Sequence, residues 1–124
     1  MAHARRRALP RRRLGAAGDL GRAQRLLERY NRTGHREQDE RTRLLRELLG
    51  DVGDGVVIRP PFHCDYGGQI AIGPRTFASF GCVMLDVAPI AVGAACQLAP
   101  RVQLLTAGHP IDPSRAGAAE LPDR

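Results

Sequence analysis

The chain has 124 residues, of which 43% are hydrophobic and 4% aromatic, and its formal net charge is +6. This length allows one domain, alone or with a small appendage, and the hydrophobic fraction excludes an intrinsically disordered protein. No segment has the apolar stretch of a secretory signal or the length needed to cross a bilayer, so we expect a cytoplasmic protein without membrane association.

Residues 1–18 form a basic tail. The first thirteen residues hold six arginines and no acid, whereas the rest of the chain carries 13 arginines and 13 acids. Such a tail could bind nucleic acid or an anionic membrane surface, and it also resembles an organellar transit peptide. Because no aromatic residues interleave with the arginines and no nucleic-acid motif follows, we interpret it as a disordered, solvated segment.

Two short amphipathic helices are predicted within residues 19–50. Asp19 is placed to cap the first helix, and the second runs from about residue 37 to residue 49, with Gly50 at the C′ position. Apolar residues at helical spacing form a stripe on each helix. These residues are Ala23, Leu26, Leu27 and Tyr30 in the first helix, and Leu44, Leu45, Leu48 and Leu49 in the second.

Residues 51–124 have the sequence pattern of a parallel β-helix. Residues 51–55 are predicted to form a loop and residues 56–58 a short strand. From Ile72 onward, an aliphatic anchor recurs every six residues, with a two-residue insertion near residues 86–89. The anchors are Ile72, Ala78, Met84, Val92, Leu98 and Leu104, and the residues four positions after the first five are Thr76, Cys82, Ala88, Cys96 and Val102.

This rhythm has a simple physical basis. Each hexapeptide forms one face of a triangular coil, the anchor points inward, and a small or β-branched residue fits the corner. The residue directly after the anchor is a glycine in two of the repeats, at Gly73 and at Gly93. Strands of an ordinary sandwich could produce such a pattern by coincidence, but six anchors with five matching corners favour the β-helix.

Three further segments are similar to one family of enzymes. Residues 60–67 read Pro-Pro-Phe-His-Cys-Asp-Tyr-Gly, residues 77–81 read Phe-Ala-Ser-Phe-Gly, and residues 106–110 read Thr-Ala-Gly-His-Pro. Together with the helices before them, they resemble the maltose and galactoside O-acetyltransferases over about residues 19–120. Members of that family usually carry Asn at the positions of Ser79 and Gly81, so this chain departs from the pattern there.

The resemblance implies a left-handed parallel β-helix after a helical N-terminal module, a homotrimer, and acetyl-CoA as co-substrate rather than as a permanently bound cofactor. His109 corresponds to the catalytic histidine, while Asp65, Ser79 and Asp86 fall on positions that line the acceptor pocket. The family continues beyond the histidine with further coils that complete the CoA channel. We therefore expect the β-helix over residues 51–124 to be incomplete at its C-terminus and assign no CoA-binding residues.

Acetyl transfer to a sugar hydroxyl requires a base, and a neutral imidazole is well matched to that task. His109 is the candidate base, although a lone histidine in a loop is more often a surface residue. A metal site formed by His63, Cys64 and Asp65 is not expected, because adjacent residues of a strand point in alternating directions. The alternative to a sugar acetyltransferase is an inactive remnant of the family with at most a structural or interaction role.

The three cysteines are Cys64, Cys82 and Cys96. Their odd number and the lack of a CxxC motif argue against both a disulfide scaffold and a zinc ribbon. Cys82 and Cys96 occupy corner positions and are interpreted as packing residues. Cys64 has no recognisable activating partner, so nucleophilic catalysis by a thiol is not expected.

Overall fold

The computed structural model describes residues 17–106, which form two α-helices followed by nine short β-strands. The helices are α1 (Ala17–Asn31) and α2 (Gln38–Leu48). The strands are β1 (Asp51–Val52), β2 (Val57–Ile58), β3 (His63–Cys64), β4 (Ile70–Ile72), β5 (Phe77–Ala78), β6 (Val83–Leu85), β7 (Ile90–Val92), β8 (Gln97–Leu98) and β9 (Gln103–Leu105). Residues 1–16, which hold nearly all of the predicted basic tail, lie outside the described residues.

The strands form three parallel sheets, each of which takes one strand from each successive coil. Their orders are β1-β4-β7, β2-β5-β8 and β3-β6-β9. Partner residues are 20 positions apart in every sheet: Val52 pairs with Ile72, and Ile72 pairs with Val92. The chain therefore passes through all three sheets once per 20 residues, which is the parallel β-helix predicted from the hexapeptide rhythm.

All six predicted anchors face the interior, three of them buried and three half-buried in the last described coil. The repeat begins one coil earlier than predicted, with Val52, Ile58 and Cys64 beneath Ile72, Ala78 and Met84. The predicted loop over residues 51–55 is therefore wrong at its start, where β1 lies. β1 has only two residues, one of them an exposed Asp, and its strand character comes from its pairing with β4.

The two helices pack their predicted apolar stripes against the first coil, and every residue of both stripes is buried. In α2, Asp39 and Glu40 lie in the first turn and Arg46 in the last turn, an arrangement that complements the helix dipole. The cap predicted at Asp19 is wrong, because α1 already begins at Ala17. Within the described residues, neither helix is long and apolar enough to cross a membrane.

Polar side chains of α1 hydrogen-bond to the first coil where the coil has few donors of its own. The hydroxyl of Tyr30 donates to the carbonyl of Ile58. The side chain of Asn31 accepts from the N–H of Phe62 at 2.8 Å and donates to its carbonyl at 2.9 Å. Since Pro60 and Pro61 carry no N–H, these bonds fix a segment that backbone pairing alone would hold weakly.

Candidate functional site

Two consecutive coils each contain two residues more than three hexapeptides, and the extra residues lie next to each other. The anchors Cys64 and Ile72 are eight positions apart, as are Met84 and Val92, and the two pairs are in register. The extra length forms a first loop (residues 65–69) and a second loop (residues 86–89) stacked beside it. Only the second is expected from the hexapeptide rhythm of the sequence.

Asp86 joins the two loops. Its side chain is fully buried, with 0% of the residue exposed. Oδ1 accepts hydrogen bonds from the backbone N–H of Asp65 at 3.2 Å and of Tyr66 at 2.9 Å, and Oδ2 accepts from the N–H of Gln69 at 3.2 Å. In return, Nε2 of Gln69 donates to the carbonyls of Asp86 at 2.8 Å and of Val87 at 2.9 Å.

Asp65 is held on its other side by the helical module. Nε2 of Gln24 in α1 donates to the carbonyl of Asp65 at 3.2 Å and to that of Cys64 at 3.1 Å. The Asp65 residue itself is half-buried. Partial burial raises the pKa of its carboxyl, and the negative charge of Asp86 raises it further. The environment of Asp65 therefore differs from that of an ordinary solvated acid.

Thr106 ties the second loop to the chain that leads toward His109. Its Oγ1 donates to the carbonyl of Leu85 at 2.6 Å and accepts from the N–H of Ala88 at 2.9 Å. Thr106 is the last described residue. The predicted base His109, three positions later, lies outside the described residues.

Ser79 follows β5 and is buried, with 8% of the residue exposed. Its backbone N–H donates to the carbonyl of Leu98 at 2.9 Å. Within residues 17–106, its hydroxyl has no hydrogen-bond partner, and no hydrogen bond connects it to Asp65 or Asp86. The structure thus links Asp65 and Asp86 through hydrogen bonds, and Ser79 takes no part in that network.

Sequence reasoning missed Gln24 and Gln69, which supply most of the side-chain donors in this region. Gln24 lies on the exposed face of α1, where apolar periodicity carries no information about a polar contact. The 20-residue register would have identified the region, since it places Asp86 one coil above Tyr66 and beside the first loop. That register was visible only from Ile72 onward because the first coil was not recognised.

The described residues contain no group of three or more His, Cys, Asp or Glu residues that could hold a metal ion. His63 is exposed and Cys64 is buried, as expected for neighbours in a strand. Burial raises the pKa of the Cys64 thiol far above its ordinary value, and the charges of Asp86 and Asp65 add to the shift. A thiol in this state is a poor nucleophile.

Cys96 should be the most readily alkylated of the three thiols. It is partly exposed, whereas Cys64 and Cys82 are 4% and 0% exposed. We expect iodoacetamide at pH 8 to modify Cys64 and Cys82 at least about tenfold more slowly than Cys96, because both must first be exposed by local opening. Peptide mass spectrometry after timed quenching measures the three rates. All three should react alike in urea, and equal rates in the folded chain would contradict the described burial.

The helical module and the coils are similar to those of one family of known proteins. Residues 17–53 match the maltose acetyltransferase hexapeptide capping motif. Nodulation protein L of Rhizobium meliloti (strain 1021) is 49% identical over 92 residues, which cover 74% of this chain and 50% of that protein.

Two solved structures are similar to this fold. A maltose O-acetyltransferase from Clostridium difficile 630 is 36% identical with a TM-score of 0.74, and the match covers 82% of this chain and 54% of that one. A hexapeptide-repeat acetyltransferase from Vibrio cholerae O1 biovar eltor, solved with acetyl coenzyme A, is 39% identical with a TM-score of 0.71, covering 83% and 55%. The predicted left-handed β-helix agrees with these neighbours, and this chain spans about half the length of the relatives it matches.

Proposed function

Because the chain belongs to the maltose and galactoside acetyltransferase family of hexapeptide-repeat proteins, we propose that it transfers an acetyl group from acetyl-CoA to a hydroxyl of a sugar. The acceptor class is a maltose- or glucose-like sugar. Acetyl-CoA acts as co-substrate, and no permanently bound cofactor is part of the proposal.

The observation that carries this proposal is the similarity of this fold to an acetyltransferase solved with its acetyl donor, a match that covers 83% of the chain. Among the described residues, the first loop also carries a half-buried carboxylate with a raised pKa, which is typical of a functional position.

In the proposed reaction, the imidazole of His109 removes the proton from the acceptor hydroxyl as its oxygen attacks the thioester carbonyl. The tetrahedral intermediate then collapses, the carbon–sulfur bond breaks, and the CoA sulfur receives the proton from the imidazolium. A backbone N–H or a similar donor must stabilise the oxyanion. General base catalysis contributes about 10²–10⁴-fold, so positioning of the two substrates supplies much of the remaining acceleration.

Asp65 and Ser79 are the residues that we propose to contact the acceptor. A carboxylate accepts hydrogen bonds from sugar hydroxyls, and Asp65 is partly exposed at the edge of the first loop. The buried hydroxyl of Ser79 can donate one hydrogen bond and accept others, and within residues 17–106 it is not used elsewhere. Asp86 was predicted to line the same pocket; its buried position suggests a different part in the site.

We also propose that three copies of the chain associate. Val57 and Phe77 lie side by side on the outer face of the second sheet, where they are 40% and 37% exposed. Adjacent apolar side chains of this size on the outside of a coil are well suited to contact another subunit.

Direct detection of the acetylated sugar tests the proposed activity. The purified chain is incubated with acetyl-CoA and a panel containing maltose, glucose and methyl β-galactoside, and the products are identified by mass spectrometry. We expect a mass increase of one acetyl group on at least one sugar. Detection of the product itself avoids interference from the three thiols, which would react in an assay of released CoA.

The alternative, a family member without catalytic activity, predicts that no sugar is acetylated even by a folded chain. Circular dichroism on the same sample establishes folding, so that a negative result can be interpreted. An acetylated product excludes the alternative. Its absence from a folded sample would overturn the proposed function.

A further inference from the structure

The carboxylate of Asp86 is buried and hydrogen-bonded inside the protein. Its two oxygens accept three backbone N–H groups of the first loop, and the residue has no exposed surface within residues 17–106. Because the residue is buried, a sugar hydroxyl could reach either oxygen only if the first loop moved and at least one of these hydrogen bonds broke. The displaced N–H would then be buried without a partner, which is costly.

We propose that Asp86 is a positioning residue, which holds the first loop so that Asp65 presents its carboxylate to the acceptor. This inference rests on the proposed sugar acetylation. Asp86 does not itself contact the sugar.

Two independent contacts support this role. The N–H of Asp65 donates to Asp86 in the second loop, and its carbonyl accepts from Gln24 in α1. Both sides of the Asp65 backbone are therefore fixed, while its side chain remains half-exposed. A residue with a restrained backbone and a free carboxylate is suited to pre-organised binding, because little conformational freedom is lost when the ligand arrives.

The second loop is itself fixed by Thr106, whose hydroxyl holds Leu85 and Ala88 on either side of Asp86. Asp86 thus connects the segment that carries Asp65 to the segment that continues toward His109. A shift of the Asp86 side chain would therefore move the segment that carries the proposed acceptor contact. Enzymes are sensitive to such displacements, because even about 1 Å can cost about 10²-fold in rate.

Amide hydrogen exchange, resolved by NMR, tests the positioning without any need for activity. In the wild-type chain, the amides of Asp65, Tyr66 and Gln69 should be protected. Asp86→Asn keeps one acceptor oxygen, so we expect the Gln69 amide to exchange about tenfold faster while Asp65 and Tyr66 change less. Asp86→Ala removes both oxygens, and all three amides should then exchange faster. Asp54→Asn, a change at a fully exposed side chain, is the matched control and should leave the three rates unchanged.

Steady-state kinetics with the sugar that is acetylated best tests the consequence for the acceptor. For Asp86→Asn, we expect the KM of the sugar to rise about tenfold while the KM of acetyl-CoA stays within about twofold. A purely structural defect would instead lower the active fraction and reduce kcat without separating the two KM values.

The outcomes distinguish this inference from the proposed function. Fast exchange of the Asp65, Tyr66 and Gln69 amides in the wild-type chain overturns the positioning role, and this result needs no folded variant. A raised sugar KM in Asp86→Asn with unchanged amide exchange would make Asp86 a direct ligand and would equally refute the inference. A third outcome is that the wild-type amides are protected and exchange faster in the variants, but the chain acetylates no sugar. The hydrogen bonds between Asp86 and the first loop would then be confirmed, whereas the acceptor role and the proposed function would both be refuted.

Discussion

Replacement of His109 by alanine is expected to lower the rate of acetyl transfer by about 10²–10⁴-fold, the usual contribution of a general base. A sugar hydroxyl is too weak an acid to attack a thioester efficiently at neutral pH without loss of its proton. A neutral imidazole can both take that proton and return it to the leaving sulfur. The measurement is the initial rate of acetyl-sugar formation by mass spectrometry under saturating acetyl-CoA.

The matched control is His35→Ala, because His35 is exposed in the connection between the two helices. It should retain the wild-type rate. The pH profile of kcat/KM adds a second criterion: the wild-type rate should fall on the acid side as the base becomes protonated, because only a neutral imidazole can accept a proton. An unchanged rate in His109→Ala would refute the proposed mechanism even if the chain is an acetyltransferase.

The interior of the β-helix was largely predictable from sequence because its period is short and regular. Each anchor from Ile72 to Leu104 lies where the six-residue rhythm puts it. The first coil was not predicted because its residues follow the hexapeptide pattern less clearly. β1 consists of Asp51 and Val52 and is followed by Gly53, Asp54 and Gly55, which are typical of a loop. Only the pairing with β4 shows that these residues continue the coil.

The sequence predicted the individual residues of the candidate site, but it did not predict the contacts between them. Asp65 and Asp86 were both named from a resemblance that assigns them the same role. The structure instead places Asp65 partly exposed in the first loop and Asp86 fully buried beside that loop, where it accepts hydrogen bonds from the loop's backbone N–H groups. That difference depends on how two loops from successive coils stack. Local sequence contains no information about such contacts until the register of the coils is known.

Gly73 and Gly93 each follow an anchor directly, in the second and in the third coil. Of these two glycines, we expect replacement by alanine to destabilise the fold at Gly73. A Cβ on Gly73 would lie 2.7 Å from the backbone N of Ala94 and from the carbonyl carbon of Gly93. Both neighbours are main-chain atoms of the next coil and cannot rotate away. We expect a loss of about 1–3 kcal/mol in the free energy of unfolding, the range typical of overpacked interiors.

Gly93 provides the matched control, because it occupies the equivalent position one coil later. Within residues 17–106, an added Cβ there would meet only the Sγ of Cys96, at 3.8 Å, which is an ordinary contact. Since replacing a glycine in an unstrained conformation reduces the entropy of the unfolded chain, Gly93→Ala should stabilise the fold by about 0.4–1 kcal/mol. The same substitution is therefore expected to change the free energy of unfolding in opposite directions at the two positions. The difference between the two changes measures the effect of the coil that lies close to Gly73.

Thermal unfolding followed by circular dichroism measures both variants. The melting temperature of Gly73→Ala should fall by roughly 5–20 °C, whereas that of Gly93→Ala should stay the same or rise by a few degrees. Equal losses in both variants would mean that another layer of chain lies as close to Gly93 as the third coil lies to Gly73. Equal increases in the melting temperature of both variants would mean that the coils are farther apart than the register requires. Either result would change the geometry from which the stacked loops, and with them the role of Asp86, are inferred.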